Sequence, residues 1–349
     1  MSGGQNGEPV LTVKTNAKVM VTGFEMRWRS LLPWAISAAL LFYVFGYATN
    51  WGRLIAALEG ADVPRFLLLA TADRLAFFAA WAWLSAIALR RFVTHVPIAS
   101  VIAIRGGSEL ARAVSNPLAD ATYAIGLMQL CGGRLDAVIA SALIPGLCHF
   151  FVMLVQMTIA LPFQHQSMDD SAVASVAITA GIMWALLAAG AVSIALVRFG
   201  RLRSRRIAVI SAWLDRFPPR QIAPFLIGFA VLGIFDIHIQ WLASRAFGVA
   251  LDWSALAARL PLVYMAFVIP TLGNFGTREL TWAALFGDFA ERDALIAYAF
   301  SVNAIFLVIN VLLGVVFLSR ALQLIGAVRR ARREGESIPG PLLRDPTDP

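Results

Sequence analysis

The sequence predicts an all-α, polytopic transmembrane helical bundle, and three observations predict it. The 349 residues are 59% hydrophobic and only 14% charged, with a mean hydropathy of +0.73, far above the soluble average. Several apolar runs reach the roughly 20 residues that an α-helix needs to cross about 30 Å of hydrocarbon. The weak alternation of a membrane β-barrel, in segments of about ten residues, is absent.

Three regions follow from composition: a polar segment 1–28, one transmembrane domain 29–325, and a basic, proline-rich tail 326–349. The first span, about Leu31 to Thr49, is preceded by Lys14, Lys18, Arg27 and Arg29, which hold the N-terminus in the cytoplasm. A short amphipathic piece, WGRLIAALEGAD, leads to the second span, about Pro64 to Leu89. Its Asp73 and Arg74 lie about ten residues beyond Pro64, or roughly 15 Å at helical rise, which places them near midspan. A third span, Asp136 to Phe163, ends in QHQSMDD, a loop without Lys or Arg that belongs outside. The fourth, about Ala172 to Val197, opens into the strongest cytoplasmic signal, where Arg201, Arg203, Arg205, Arg206, Arg216 and Arg220 face only Asp215. A fifth span covers about Ala223 to Phe247. The sixth, Ala294 to Leu324, precedes the basic VRRARRE. Six full spans place both termini inside.

Two apolar stretches remain, 97–130 and 253–289, and each must return to its own side. Each is interrupted by glycine and charge, IRGGSELARAVSNP in the first and IPTLGNFGTREL in the second. Broken backbone at membrane depth is tolerated only where it is buried in protein or lines a polar cavity. The expectation is two re-entrant, broken-helix hairpins; counting each as two crossings gives about ten spans and the same orientation. Two spans, a hairpin and a span, repeated upside down, suggest the inverted repeat of transporters with broken helices at the midplane. Gly107-Ser108-Glu109-Leu110 and Gly276-Thr277-Arg278-Glu279-Leu280 look alike, although so short a match also arises by coincidence.

Candidate binding residues lie in these breaks. In the second hairpin, Gly273, Asn274 and Gly276 let the chain turn with positive φ, and Thr277 is placed to cap a helix beginning at Arg278. A helix N-terminus with an arginine beside it suits a phosphate. The alternative is that Arg278 pairs with Glu109, Asp236 or Asp288 and locks the hairpins together. The first hairpin offers Arg105, Glu109, Arg112, Asn116 and Asp120. Glu109 and Arg112, at i and i+3, favour a simple intrahelical pair. Asn116-Pro117 ends that helix.

The rest of the chain speaks against other classes. No HExxH, GxSxG, Walker-type or DDxxD motif occurs, so no catalytic residue, metal or cofactor is expected. His149 and His238 are solitary within spans, and Asp236 and His238, at i and i+2, fall on different helix faces. Cys131 and Cys148 form no disulfide framework. The net charge of +8 sits in clusters flanking the spans, where anionic lipid and orientation explain it better than nucleic acid. All but two of the 29 basic residues are arginine, which with the abundant alanine points to a GC-rich bacterial genome and a bacterial inner membrane. MSGGQNGEPV has none of the features of a cleaved signal peptide.

The segment PTLGNFGTRELTWAALFGDFAERDALIAYAFSVNAIFLVINVLLG resembles the C-terminal signature of a flippase-like membrane protein family related to the transmembrane region of lysylphosphatidylglycerol synthases. Pro270, Gly273, Gly276, Arg278 and Glu279 carry the likeness; the family's Gly-Gly after the proline reads Gly273-Asn274 here. The stretch from Ala99 to Leu143 is similar to that family's first hairpin through Asn116-Pro117 and Asp120, with Ala119 where a glycine normally precedes the acid. The resemblance spans most of Trp51 to Leu324. It implies lipid handling: movement, or support of the transfer, of modified, glycosylated or polyprenyl-type lipids. The family's synthases add a soluble acyltransferase-like domain after the spans, and this chain has only some twenty-five residues there, so a synthase is not expected.

The leading expectation is therefore a lipid transporter or flippase-like protein, with membrane lipids of anionic or glycosylated headgroup as partners. Arg278 and the Thr277 end of its helix would hold phosphate, and Glu279, Glu109 and Asp120 would pair with Arg105, Arg112 or a cationic headgroup. Two alternatives stand beside it. One is a membrane-embedded lipid-modifying transferase. The other is a non-catalytic partner of a lipid-linked glycosyltransferase, docked through the basic stretch around Trp213 and Leu214.

Overall fold

The structure, a computed structural model, describes residues 51–93, 96–131, 138–164, 170–199, 219–267 and 271–334, with a few positions between 39 and 46. The expected first span, the N-terminal segment, the outer loop, the basic stretch after the fourth span and the end of the tail lie outside these residues, apart from those few positions in the first span. Among the described residues the fold is all-helical, without strands. In chain order we number α1 (Trp51–Glu59), α2 (Val63–Phe92), α3 (Ile98–Arg112), α4 (Asn116–Leu130), α5 (Ile144–Ala160), α6 (Asp170–Arg198), α7 (Pro219–Ala246), α8 (Trp253–Ala266), α9 (Thr277–Phe286) and α10 (Arg292–Glu334).

Five stretches are long and apolar enough to cross a membrane: Val63–Phe92, Ser141–Phe163, Val176–Val197, Arg220–Ala246 and Arg292–Ala331. They coincide with the expected second to sixth spans. Their outward faces carry Leu68, Ile178, Leu186, Ile227, Val231, Val315 and Val316, all exposed. Helices that are apolar on every side are membrane or core helices, and here the outer side meets no protein. The third span begins with a π-turn, Ile139–Leu143, immediately before Pro145. Asp62 starts α2 by accepting from the Arg65 amide at 3.3 Å, with a proline in the first turn. The Asp62 amide donates to the Ala246 carbonyl at 2.7 Å, so the start of α2 is stitched to the end of α7.

The helices between these spans are short. α3 and α4 have 15 residues each, or about 22 Å of rise; α8 has 14 and α9 has 10, or about 21 and 15 Å. None matches a 30 Å core alone. Ser115, extended at φ −161°, caps α4 by accepting from the Leu118 amide at 3.3 Å, with Pro117 in the first turn. Asn116-Pro117 therefore starts the second helix of this hairpin, and α3 ends earlier, at Arg112. The reason is local: Pro117 needs no amide partner in a first turn but would break a helix interior.

α10 is the spine. α3 runs along it, and α9 packs on the same helix. Close approach rests on glycine: a Cβ at Gly314 would stand 2.6 Å from Leu110 Cβ, and one at Gly106 would stand 2.3 Å from the Phe317 ring. The second hairpin has its own buried cluster, where Trp282 stacks on Phe286 at 4.6 Å and meets Tyr298 edge-on at 5.0 Å. α2 packs on α7, α5 joins α7 and α8, and α6 touches mainly α5 at the periphery.

Candidate functional site

The two breaks meet. The Gly273 amide donates to the Val114 carbonyl at 3.1 Å, and Asn116 Nδ2 donates to Asn274 Oδ1 at 3.1 Å. Positive φ at Gly273 (53°), Asn274 (65°) and Gly276 (83°) turns the chain there, a conformation that glycine and asparagine tolerate best. Gly276, not Thr277, caps α9. Thr277 is the first helical residue, and its hydroxyl lies 3.1 Å from that of Thr271. A threonine at the cap would carry a Cβ into left-handed backbone. Glu279 turns back to accept from the Gly276 amide at 2.6 Å, satisfying a helix-end donor. It is fully buried and occupied by the cap rather than by Arg105 or Arg112.

In the first hairpin, Arg105, Glu109 and Arg112 share one face of α3. Arg112 Nε donates to Glu109 Oε2 at 2.9 Å, as the spacing predicts, and its other nitrogens reach Asn116 at 3.0 Å and Asp120 at 3.1 Å. Arg105 Nε stands 3.7 Å from Glu109, and its guanidinium lies 4.9 Å over the Tyr123 ring. A further cation comes from α2: Arg74 donates to Glu109 and, at 2.5 Å, to Asn310. Three arginines thus surround one carboxylate that is 1% exposed. Asp120, 62% exposed, stands 3.1 Å from Arg112 and 3.9 Å from Arg105.

Asp73, next to Arg74 in sequence, goes elsewhere. Gln240 Nε2 donates to Asp73 Oδ2 at 3.1 Å, and Tyr298 donates to Gln240 Oε1 at 2.5 Å. Asp236 accepts from the Tyr264 hydroxyl at 2.6 Å. Both acids are buried, whereas His238 is exposed on the other side of α7.

Arg278 lies between these groups. Its guanidinium sits 5.1 Å from the Phe267 ring and 4.8 Å from the Phe306 ring. It makes no ion pair with Glu109, Asp236 or Asp288 among the described residues, and its buried Nε has no hydrogen-bond partner there. Asp288 is held in a two-pronged pair by Arg259, at 2.6 and 2.7 Å, and Glu109 is held by Arg74 and Arg112.

These groups line one cavity of about 650 Å³. Four arginines (Arg74, Arg105, Arg112, Arg278) and three acids (Asp73, Glu109, Asp120) form its polar wall, joined by Asn116, Asn274, Asn303 and Asn310. Phe77, Trp81, His149, Tyr264, Phe267 and Phe306 form the apolar wall. Of the residues singled out from sequence, Arg105, Glu109, Arg112, Asn116, Asp120, Asn274 and Arg278 reach this wall; Thr277 and Glu279 stand behind it. Sequence reasoning left out Arg74 and Asp73 as members, and missed Tyr264, Asn303 and Asn310. One signal was available: Asn303 and Asn310 are two helical turns apart in the most apolar span, and polar groups at such depth face protein or water. No group of three or more His, Cys, Asp or Glu able to hold a metal occurs among the described residues.

Compared with protein-family models, the chain matches none, and a search of curated proteins finds no match.

Proposed function

We propose that this protein is a lipid transporter of the flippase-like kind, multi-pass in a bacterial inner membrane with both termini cytoplasmic. Its two hairpins are re-entrant, one from each side, and the cavity at their joined tips receives the phosphate-bearing headgroup of a lipid. The acyl or isoprenoid tail stays in the bilayer. The observation that carries this reading is Arg278, a buried cation on the cavity wall whose guanidinium is not spent on an ion pair among the described residues. Leaving a cation so deep without a close counterion is costly, and an incoming phosphate supplies one. The short hairpin helices and their tip-to-tip hydrogen bonds support the inverted-repeat arrangement, in which broken helices meet around a substrate.

The testing experiment is mass spectrometry of lipids retained by the protein purified in mild detergent, comparing the parent with Arg278→Ala. Enrichment of one phosphate-bearing or glycosylated lipid, lost in Arg278→Ala while the variant stays monodisperse, is the expected result. Bulk phospholipid that does not change with the substitution overturns the headgroup assignment.

A further inference from the structure

Among the described residues of the cavity wall, Pro117 and Asp120 are exposed and the rest are buried or half-buried. The cavity therefore has a mouth, and it opens beside the first turns of α4. A second stretch of wall is open in a different way. α5 and the π-turn before it contribute Ala142, Gly146 and His149, and a Cβ built on Gly146 would meet nothing within 4 Å. The other glycine on the wall, Gly273, is closed in by the Phe275 ring at 3.3 Å.

Helix packing accounts for a gap between these two places. α4 packs on α3 and α10, whereas α5 packs on α7 and α8, and α4 and α5 are not packed along one another. They are tied together at the end away from the hairpin tips, where Val138 packs on the core of Tyr123, Leu127 and Leu130. Past Val138 the chain enters the π-turn and reaches Pro145, and both features bend a helix. The polarity changes across the gap. Leu143 and Leu147 flank Gly146 on α5, and the outward face of α4 carries Leu118 and Ile125, all exposed. Just inside, Asp120 meets Arg112 at 3.1 Å and Arg105 at 3.9 Å.

We propose that the slit between α4 and α5 is a lateral doorway, through which a lipid headgroup enters the cavity from the bilayer and in which the hydrocarbon tail of the bound lipid lies. The doorway rests on the headgroup reading above. A headgroup that stays attached to its tail needs an opening on the lipid side, because drawing the tail into water is unfavourable. Apolar lips with arginines behind them meet the two ends of such a molecule in the order in which it carries them. Gly146 keeps the slit open: any side chain there projects into it.

The test is Gly146→Trp, with Gly181→Trp as control, since a Cβ at Gly181 on α6 also meets nothing within 4 Å. Lipids retained in mild detergent are read by mass spectrometry. The expected result is a phosphate-bearing lipid enriched by the parent and by Gly181→Trp but lost from Gly146→Trp, with unfolding temperatures unchanged. Equal enrichment in Gly146→Trp overturns the doorway and leaves the headgroup site standing. No enrichment in the parent removes both. Photocrosslinking serves if Gly146→Trp does not fold: p-benzoylphenylalanine in place of Leu147 should form an adduct with the enriched lipid, and in place of Ile178, exposed on α6, it should not. Adducts with bulk phospholipid alone at both positions overturn the doorway.

Discussion

Asn116 and Asn274, 158 positions apart in the chain, are joined side chain to side chain at 3.1 Å where the two hairpins touch. This bond and the Gly273 amide on the Val114 carbonyl make one polar floor from two separate breaks. The cavity therefore depends on tip geometry as well as on its charges.

The first prediction concerns that geometry. Gly273→Ala puts a Cβ on backbone at φ 53° and within 3.3 Å of the Phe275 ring, and left-handed backbone costs a non-glycine residue roughly 1–2 kcal/mol. The unfolding temperature in detergent should fall. Gly181→Ala, where a Cβ meets nothing within 4 Å, should leave it level or raise it slightly.

The seam between α3 and α10 should be less forgiving. Gly314→Ala brings a Cβ within 2.7 Å of the Leu110 backbone nitrogen, which cannot rotate away. Overpacking of this kind costs about 1–3 kcal/mol. Gly326→Ala on the same helix meets nothing within 4 Å and should be neutral or stabilising by up to about 1 kcal/mol. Paired thermal or denaturant unfolding of the two variants checks the contrast.

Glu109 should be needed chiefly because of what it leaves behind. Glu109→Gln strands Arg74, Arg105 and Arg112 with only the exposed Asp120, and breaking a buried pair costs about 3–5 kcal/mol. Removing one stranded cation should recover part of the loss. The double variant Glu109→Gln/Arg74→Met is expected to unfold at a higher temperature than Glu109→Gln alone; equal or lower stability would contradict the charge-balance account.

Arg259 separates stability from binding. It ties α8 to Asp288 and to the Leu285 carbonyl and does not line the cavity. Arg259→Met leaves Asp288, which is partly exposed, without its cation. It should cost about 3 kcal/mol yet retain whatever lipid the parent enriches, in contrast to Arg278→Ala. Lipid mass spectrometry of the two variants side by side reads the difference.

Topology is open to chemical labelling. With native cysteines replaced, a cysteine at Asp170 should react with an impermeant maleimide from the outside. A cysteine at Ser204, within the arginine-rich stretch, should react only after permeabilisation. The opposite pattern would invert the assigned orientation.

The places where the chain breaks were readable from local chemistry. Gly273, Asn274 and Gly276 announce positive φ, and the Glu109–Arg112 pair follows from helical spacing alone. Even so, the cap of α9 lies one residue earlier than Thr277 suggests, because the left-handed turn extends to Gly276. Asp73 and Arg74 read from sequence only as midspan charges, and adjacent residues on a helix point some 100° apart. Each is claimed by a different helix.

The sequence by itself determined the class of protein, its long apolar helices and the positions of the interruptions, because hydropathy, length and glycine or proline content act over a few neighbouring residues. Only the tertiary structure decided which group answers which charge: Glu109 for Arg74, Asp288 for Arg259, Gln240 for Asp73, with Arg278 left facing the cavity. In a low-dielectric interior those partners are set by which helix faces converge, and that convergence is a property of residues far apart in the chain.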